Sequence, residues 1–294
     1  MEEMKKTYDR TAEDLGNIVN LGHVNLNITD QRLATHYYVT GLGLTRDPFL
    51  NTGVRIMWVN VGMSQFHLPT NKQPNVLRGV VGLVIPDRAA LLERLQGVKQ
   101  HLAETKFSFR ESNDGVETTC PWGNRITVHT PDRARFGQVA LGIGYVTFDV
   151  RPGTAEGIAR FYRDVMKAPA TVEGNGTGRK AKVQVGDKQY YYFAETDAPE
   201  VTYDGHHAQI YICDFSGPYT KLVDLGLLTV EFGQHEYRFN DIVDLDSRKP
   251  LFTVEHEVRS QTHPMFARPL INRNPAQDNR NYKPGHDNIA WSLP

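Results

Sequence analysis

One segment pattern recurs four times along the chain. A short strand opens on a polar or aromatic residue and closes on Asp or a polar neighbour, and a helical stretch and further strands follow. The openings are Gly22-His23-Val24-Asn25-Leu26-Asn27-Ile28-Thr29-Asp30, Val80-Val81-Gly82-Leu83-Val84-Ile85-Pro86-Asp87, Tyr145-Val146-Thr147-Phe148-Asp149-Val150 and His207-Ala208-Gln209-Ile210-Tyr211-Ile212-Cys213-Asp214. They lie about 60 residues apart, so the chain reads as repeated supersecondary modules rather than one irregular sheet. The modules span 20–72, 78–131, 141–196 and 206–258. Taken in order they give a first domain over 20–135 and a second over 140–260, with an N-terminal arm at 1–19 and a wrapping tail at 261–294. Only the first and fourth openings carry ligand-type side chains, His23 and His207, at the key points.

Local signals support the modules. Thr29 or Asp30 can cap a helix that shows Leu33 and Tyr37 on one face and ends at Thr40-Gly41-Leu42-Gly43. Val54 to Asn60 and Gln65 to Leu68 are rich in strand formers, and Pro69 stops the second. Leu92, Leu95 and Val98 place a helix over 88–102, and Ile158, Phe161, Tyr162 and Val165 mark another. The fourth module has a weak helix signal at 218–225 and ends in Leu251-Phe252-Thr253-Val254-Glu255-His256-Glu257-Val258.

Composition narrows the function classes. A net charge of -1 argues against nucleic acid, which needs a basic face. No apolar run approaches the ~18 residues of a membrane span, and the charged start Met1-Glu2-Glu3-Met4-Lys5-Lys6 lacks a signal-peptide core. Cys120 and Cys213 sit in separate modules, so a disulfide scaffold is not expected. The expectation is a cytoplasmic protein acting on a small molecule, with homo-oligomerisation left open.

The segments His23-Val24-Asn25-Leu26, Tyr37-Tyr38-Val39-Thr40-Gly41-Leu42-Gly43-Leu44 and Pro121-Trp122-Gly123-Asn124-Arg125-Ile126 resemble the vicinal oxygen chelate superfamily. That superfamily holds glyoxalase I, fosfomycin- and bleomycin-resistance proteins, methylmalonyl-CoA epimerase and extradiol dioxygenases. The resemblance covers roughly residues 20–258 and is clearest in the first two modules. It implies an α+β fold of four βαβββ modules forming two half-open barrels, with a divalent metal held from a module's first and last strands. Carried over by position, the first module offers His23 and His67, and the fourth offers His207 and Glu255. The second offers Val80 and Thr127 and the third Tyr145 and Tyr191, none a convincing ligand. One site then requires the first module to pair in space with the fourth, and the second with the third. The extradiol layout differs, placing every ligand in the C-terminal pair, where Tyr145 stands in the place of a first His.

Strand alternation sharpens the carboxylate. Glu255 and Glu257 share a face with His256 opposite, so Glu257 is the replacement ligand if the register is off by two. His206 reads as the outward neighbour of His207. His36 and His101 read as solvated, His129 as structural, and Tyr191 as sheet packing or a lining of the vacant cup.

Two His and a carboxylate form the non-haem Fe(II) set, while Mn(II), Ni(II) and Zn(II) also accept these donors. The leading reading is a metal-dependent dioxygenase of aromatic compound metabolism, an oxidoreductase cleaving a catechol-like or other vicinal-oxygen substrate. His67 is then a fourth ligand or an acid/base group. Glu257, His263 and Tyr282 are further catalytic candidates, and Tyr37, Trp58 and Tyr211 are candidate pocket walls. A glyoxalase- or epimerase-like isomerase or lyase is the alternative, and a metal-free binding or resistance protein is the third.

Overall fold

The structure is a computed structural model that describes residues 8–47, 50 and 55–268. Its first module starts with β1 (Ile18–Asn25), where Val24 turns into the apolar core and His23 and Asn25 take the opposite face. The Asp30 carboxylate accepts from the Arg32 and Leu33 amides and so starts α1 (Gln31–Ala34). That helix widens into a π-helical stretch, Thr35–Gly41. Gly43, at φ +73°, turns the chain into β2 (Thr45–Arg46), β3 (Ile56–Val61) and β4 (Ser64–Pro69).

The second module comprises β5 (Gly79–Val84), α2 (Arg88–Val98), β6 (Ser108–Ser112), β7 (Gly115–Thr119) and β8 (Arg125–His129). A short α3 (Arg133–Phe136) leads to the third: β9 (Gly142–Val150), α4 (Ala155–Asp164), β10 (Ala170–Glu173), β11 (Lys180–Gly186) and β12 (Gln189–Glu195). The fourth has β13 (His207–Ile212), α5 (Ser216–Leu225), β14 (Leu228–Glu231), β15 (Glu236–Val243) and β16 (Pro250–Ser260). The helix expected over 88–102 ends at Val98 and continues only as a 3-10 turn, Gln100–Leu102.

Two eight-stranded mixed sheets with few helices give the α+β class. One sheet runs β14-β15-β16-β13-β1-β4-β3-β2 and the other β10-β11-β12-β9-β5-β8-β7-β6. The first therefore unites modules one and four, and the second unites modules two and three. Each stretch of sequence at 20–135 and 140–260 gives one module to each sheet. β1 pairs antiparallel with β13, which sets Asn25 opposite His207 and His23 opposite Gln209. β1 also pairs parallel with β4, setting Asn25 beside His67, and β13 pairs parallel with β16, setting Gln209 beside Glu257.

A continuous apolar core includes Phe161 and Tyr162 of α4 with Tyr191, Phe193 and Phe239 of the strands. His256 points into this core. Its ring stacks on Phe239 at 4.2 Å and its Nε2 accepts from the Tyr162 hydroxyl at 2.6 Å. Burial holds its imidazole down to about 4, so it sits neutral among hydrocarbons. Tyr191 also belongs to the core, buried against Phe148 and Tyr162 rather than lining the second cup.

One end of the second cup is filled by its own side chains. The Tyr145 ring lies where a Cβ on Gly82 would stand, 2.1 Å from that point. Its hydroxyl donates to His129 Nε2 at 2.9 Å, while His129 Nδ1 meets the Asp114 carbonyl at 2.7 Å.

Candidate metal centre

Side chains from four neighbouring strands converge on the concave face of the first sheet. His23 (β1), His67 (β4) and His207 (β13) each offer a ring nitrogen, and the three atoms lie within 4.8 Å of one another. In each ring Nε2 is buried and has no hydrogen-bond partner among the described residues. Three orphaned ring nitrogens in one place are costly unless something completes them. Glu257 (β16) closes the group: its Oε2 stands 3.2 Å from His207 Nε2 and 3.6 Å from His23 Nε2. These contacts fit the approach of neutral imidazoles and a carboxylate around a common cation.

The surroundings fix each donor. His207 Nδ1 faces Glu255 Oε1 at 3.1 Å, an arrangement that puts the ring proton on Nδ1 and leaves Nε2 as a lone pair. Asn25 Nδ2 contacts His67 Nδ1 at 2.7 Å. The Trp58 indole stacks on His67, and meets His23 edge-on with centroids 5.0 Å apart. Arg238 Nη2 and Arg259 Nη2 hold the two oxygens of Glu257 at 2.7 and 2.6 Å.

Electrostatics follow from burial and these charges. Burial pulls the His23 imidazole down to about 4 against the attraction of Glu257, and burial also holds His67 well below the ordinary imidazole range. Burial alone would raise the Glu257 carboxyl. The Arg259 guanidinium instead holds it well below the usual carboxylate range. Neutral rings and an ionised carboxylate are the forms a cation binds.

No family model and no curated protein matches this chain. Solved structures do. A candidate dioxygenase of Bacillus subtilis superposes with a TM-score of 0.56 at 12% identity, covering 84% of this chain and 86% of that one. Glyoxalase I of Zea mays superposes with a TM-score of 0.56 at 11% identity, covering 82% and 92%. The chain has the vicinal oxygen chelate fold.

Within that fold the expected residues divide. His23, His67 and His207 meet, with Trp58 and Tyr211 beside them. The carboxylate nearest their Nε2 atoms is Glu257. Glu255, expected as the ligand, lies on the far side of His207, paired with Arg238 Nη1 at 2.8 Å. Tyr37 does not reach the site: it is fully buried beside Tyr38 and Phe107, and its hydroxyl meets Thr118. His263 lies over Tyr211 with ring centroids 6.4 Å apart, its Nδ1 accepting from the Met265 amide. Tyr282 falls outside the described residues.

Several site residues escape the motif reading. Asn25, Gln65, Gln209 and Arg259 each stand two residues from an expected ligand or its replacement, so strand alternation alone places them on the same face. Arg238 has no such signal, because it arrives through the pairing of β15 with β16. The segment 260–268 covers the cup mouth. Met265 packs with Leu50, Trp58 and Tyr211, and Arg268 forms a buried ion pair with Asp47 at 2.6 Å.

Proposed function

We propose that this protein is a metal-dependent enzyme that holds a divalent cation with His23, His207 and Glu257 and acts on a small molecule carrying two adjacent oxygens. The observation that carries the reading is the convergence of unpartnered imidazole nitrogens on a carboxylate held ionised. Two His and one carboxylate favour Fe(II), and with it a dioxygenase acting on a catechol-like substrate. When bound, such a cation supplies Lewis acidity toward substrate oxygens and access to dioxygen chemistry.

The protein's own groups do the rest. Glu255 holds His207 in the tautomer with Nε2 free, and Arg238 and Arg259 keep Glu257 aimed and charged. Asn25, donating through Nδ2 to His67 Nδ1, leaves the proton of that ring on Nε2. His67 then serves as a neutral donor to a substrate oxygen as negative charge develops on it. Trp58 locks the ring by stacking, and Met265 with Tyr211 excludes water from the mouth.

The redox-free isomerase or lyase is the second reading, and the His67 position favours it. With the Asn25 amide turned so that its oxygen accepts from Nδ1, His67 Nε2 becomes a fourth ligand, a set suited to Ni(II) or Zn(II). The fold itself is shared by a glyoxalase and a candidate dioxygenase and does not choose between them. Metal analysis of the purified protein, followed by oxygen uptake of the anaerobically Fe(II)-loaded form on catechols and on α-oxoaldehydes, decides. Oxygen consumption with a catechol supports the dioxygenase. Turnover without dioxygen on Ni(II) or Zn(II) rejects it, and a protein that retains no metal rejects both.

A further inference from the structure

A cavity of about 260 Å³ opens beside the imidazoles, walled by His23, Gln209, Tyr211, Arg259, Met265 and Phe266. Two of these walls carry unspent hydrogen-bonding capacity. The Arg259 guanidinium gives Nε to Glu236 at 3.1 Å, pairs through Nη2 with Glu257 and lies by the Tyr211 hydroxyl, while its Nη1 is buried with no hydrogen-bond partner among the described residues. Gln209 is fully buried, and neither its amide nitrogen nor its amide oxygen has a partner among the described residues. The sequence makes room for that amide: a Cβ on Gly22 would meet Gln209 Oε1 at 1.8 Å and Tyr211 Cε2 at 2.8 Å. A buried guanidinium edge and a buried amide left open in one cavity are stabilised only by a group that satisfies them.

We infer that the substrate carries a carboxylate, bound in this cavity by Arg259 Nη1 and the Gln209 amide, so that the site takes aromatic hydroxy-carboxylates rather than neutral catechols. The placement of the adjacent oxygens at the histidines rests on the metal reading above, whereas the carboxylate pocket does not. Gln209 offers one donor and one acceptor side, which suits a planar carboxylate with a hydroxyl on its ring better than a tetrahedral phosphate, an acceptor throughout. Tyr211, Met265 and Phe266 supply the apolar walls for the ring. Charge agrees. Arg238 and Arg259 face Glu236, Glu255 and Glu257, and a divalent cation turns that balance to net positive, which a monoanion neutralises.

The test is calorimetric titration with protocatechuate, catechol, benzoate and phenyl phosphate, on the Fe(II)-loaded anaerobic protein and on the metal-stripped protein. Loaded protein is expected to bind protocatechuate at least about tenfold tighter than catechol, the scale of one charge-assisted hydrogen bond. Stripped protein is expected to bind benzoate in preference to phenyl phosphate. Arg259→Met and Gln209→Met each remove the preference for protocatechuate. The Gln209 variant changes no charge and keeps the test open if the Arg259 variant fails to fold. Equal binding of catechol and protocatechuate by protein that retains metal overturns the carboxylate pocket and leaves the metal reading standing. Benzoate binding that is lost in the variants, in a protein that takes up no metal, overturns the metal reading and supports the pocket. Tighter phenyl phosphate than benzoate overturns the carboxylate.

Discussion

The Trp58 indole and the His67 imidazole lie face to face, with centroids 3.9 Å apart and planes inclined by only 8°. An indole in this position reports directly on the centre. Titration with Fe(II) or Ni(II) is expected to quench a large part of the Trp58 emission, and Trp58→Phe is expected to remove that component. Unchanged fluorescence through a titration that elemental analysis shows to be saturating would place the cation elsewhere.

The two carboxylates of β16 are separable by mutation. Glu257→Ala is expected to abolish metal retention, as is His207→Ala. Glu255→Ala, which frees His207 Nδ1 and Arg238 Nη1 but leaves Glu257 in place, is expected to weaken metal affinity by about 10–100-fold. Thr127→Ala, in the second sheet, leaves affinity unchanged. Competition against a chelator gives all four values, and equal losses for Glu255 and Glu257 would defeat the assignment.

Asn25→Asp fixes an acceptor against His67 Nδ1 and moves the ring proton away from Nε2. The variant is expected to bind Zn(II) or Ni(II) more tightly and to lose dioxygenase turnover. A variant that keeps both wild-type metal affinity and turnover would show that the amide does not set the tautomer.

Arg268 and Asp47 pair out of water, their side chains only 1% and 0% exposed. Arg268→Met removes a buried cation from Asp47, a loss of up to about 3–5 kcal/mol for a buried pair. The expected outcome is a lowered Tm together with faster proteolytic cleavage near residues 261–268. A Tm unchanged within error would mean that the pair contributes nothing to closure of the mouth.

His129 gives a pH dependence away from the centre. Burial holds its imidazole below the ordinary value, so the folded protein takes up this proton later than the unfolded chain does. The corresponding stability is fully present above pH about 6.5, the unfolded imidazole value, and declines as the pH falls below it. His129→Gln is expected to flatten that decline in urea melts, and an unchanged slope would assign it to other groups.

The modules and their helices were legible in local signals such as the strand openings and the Asp30 cap, and the three histidines through the strand positions that the family resemblance implies. The carboxylate was legible only to within two residues. Glu255 and Glu257 occupy the same face, and what selects Glu257 is the parallel register of β16 on β13 with Arg259 and Arg238 around it. Tyr37 was misplaced because a buried aromatic on an amphipathic helix carries the same signal whether it faces a cup or the core. The clamp of Arg268 on Asp47 joins positions too far apart in the chain for any local pattern to connect them.

The marriage of β1 to β13 has a consequence for biosynthesis. His23 emerges from the ribosome well before its neighbours on the sheet, Gln209 and Glu257, follow. Until then one edge of β1 stays unpaired and open to wrong partners, while the inner two modules can already zip together. Uptake of metal by a nascent chain should therefore coincide with release of the fourth module and mark the moment at which the first sheet has closed.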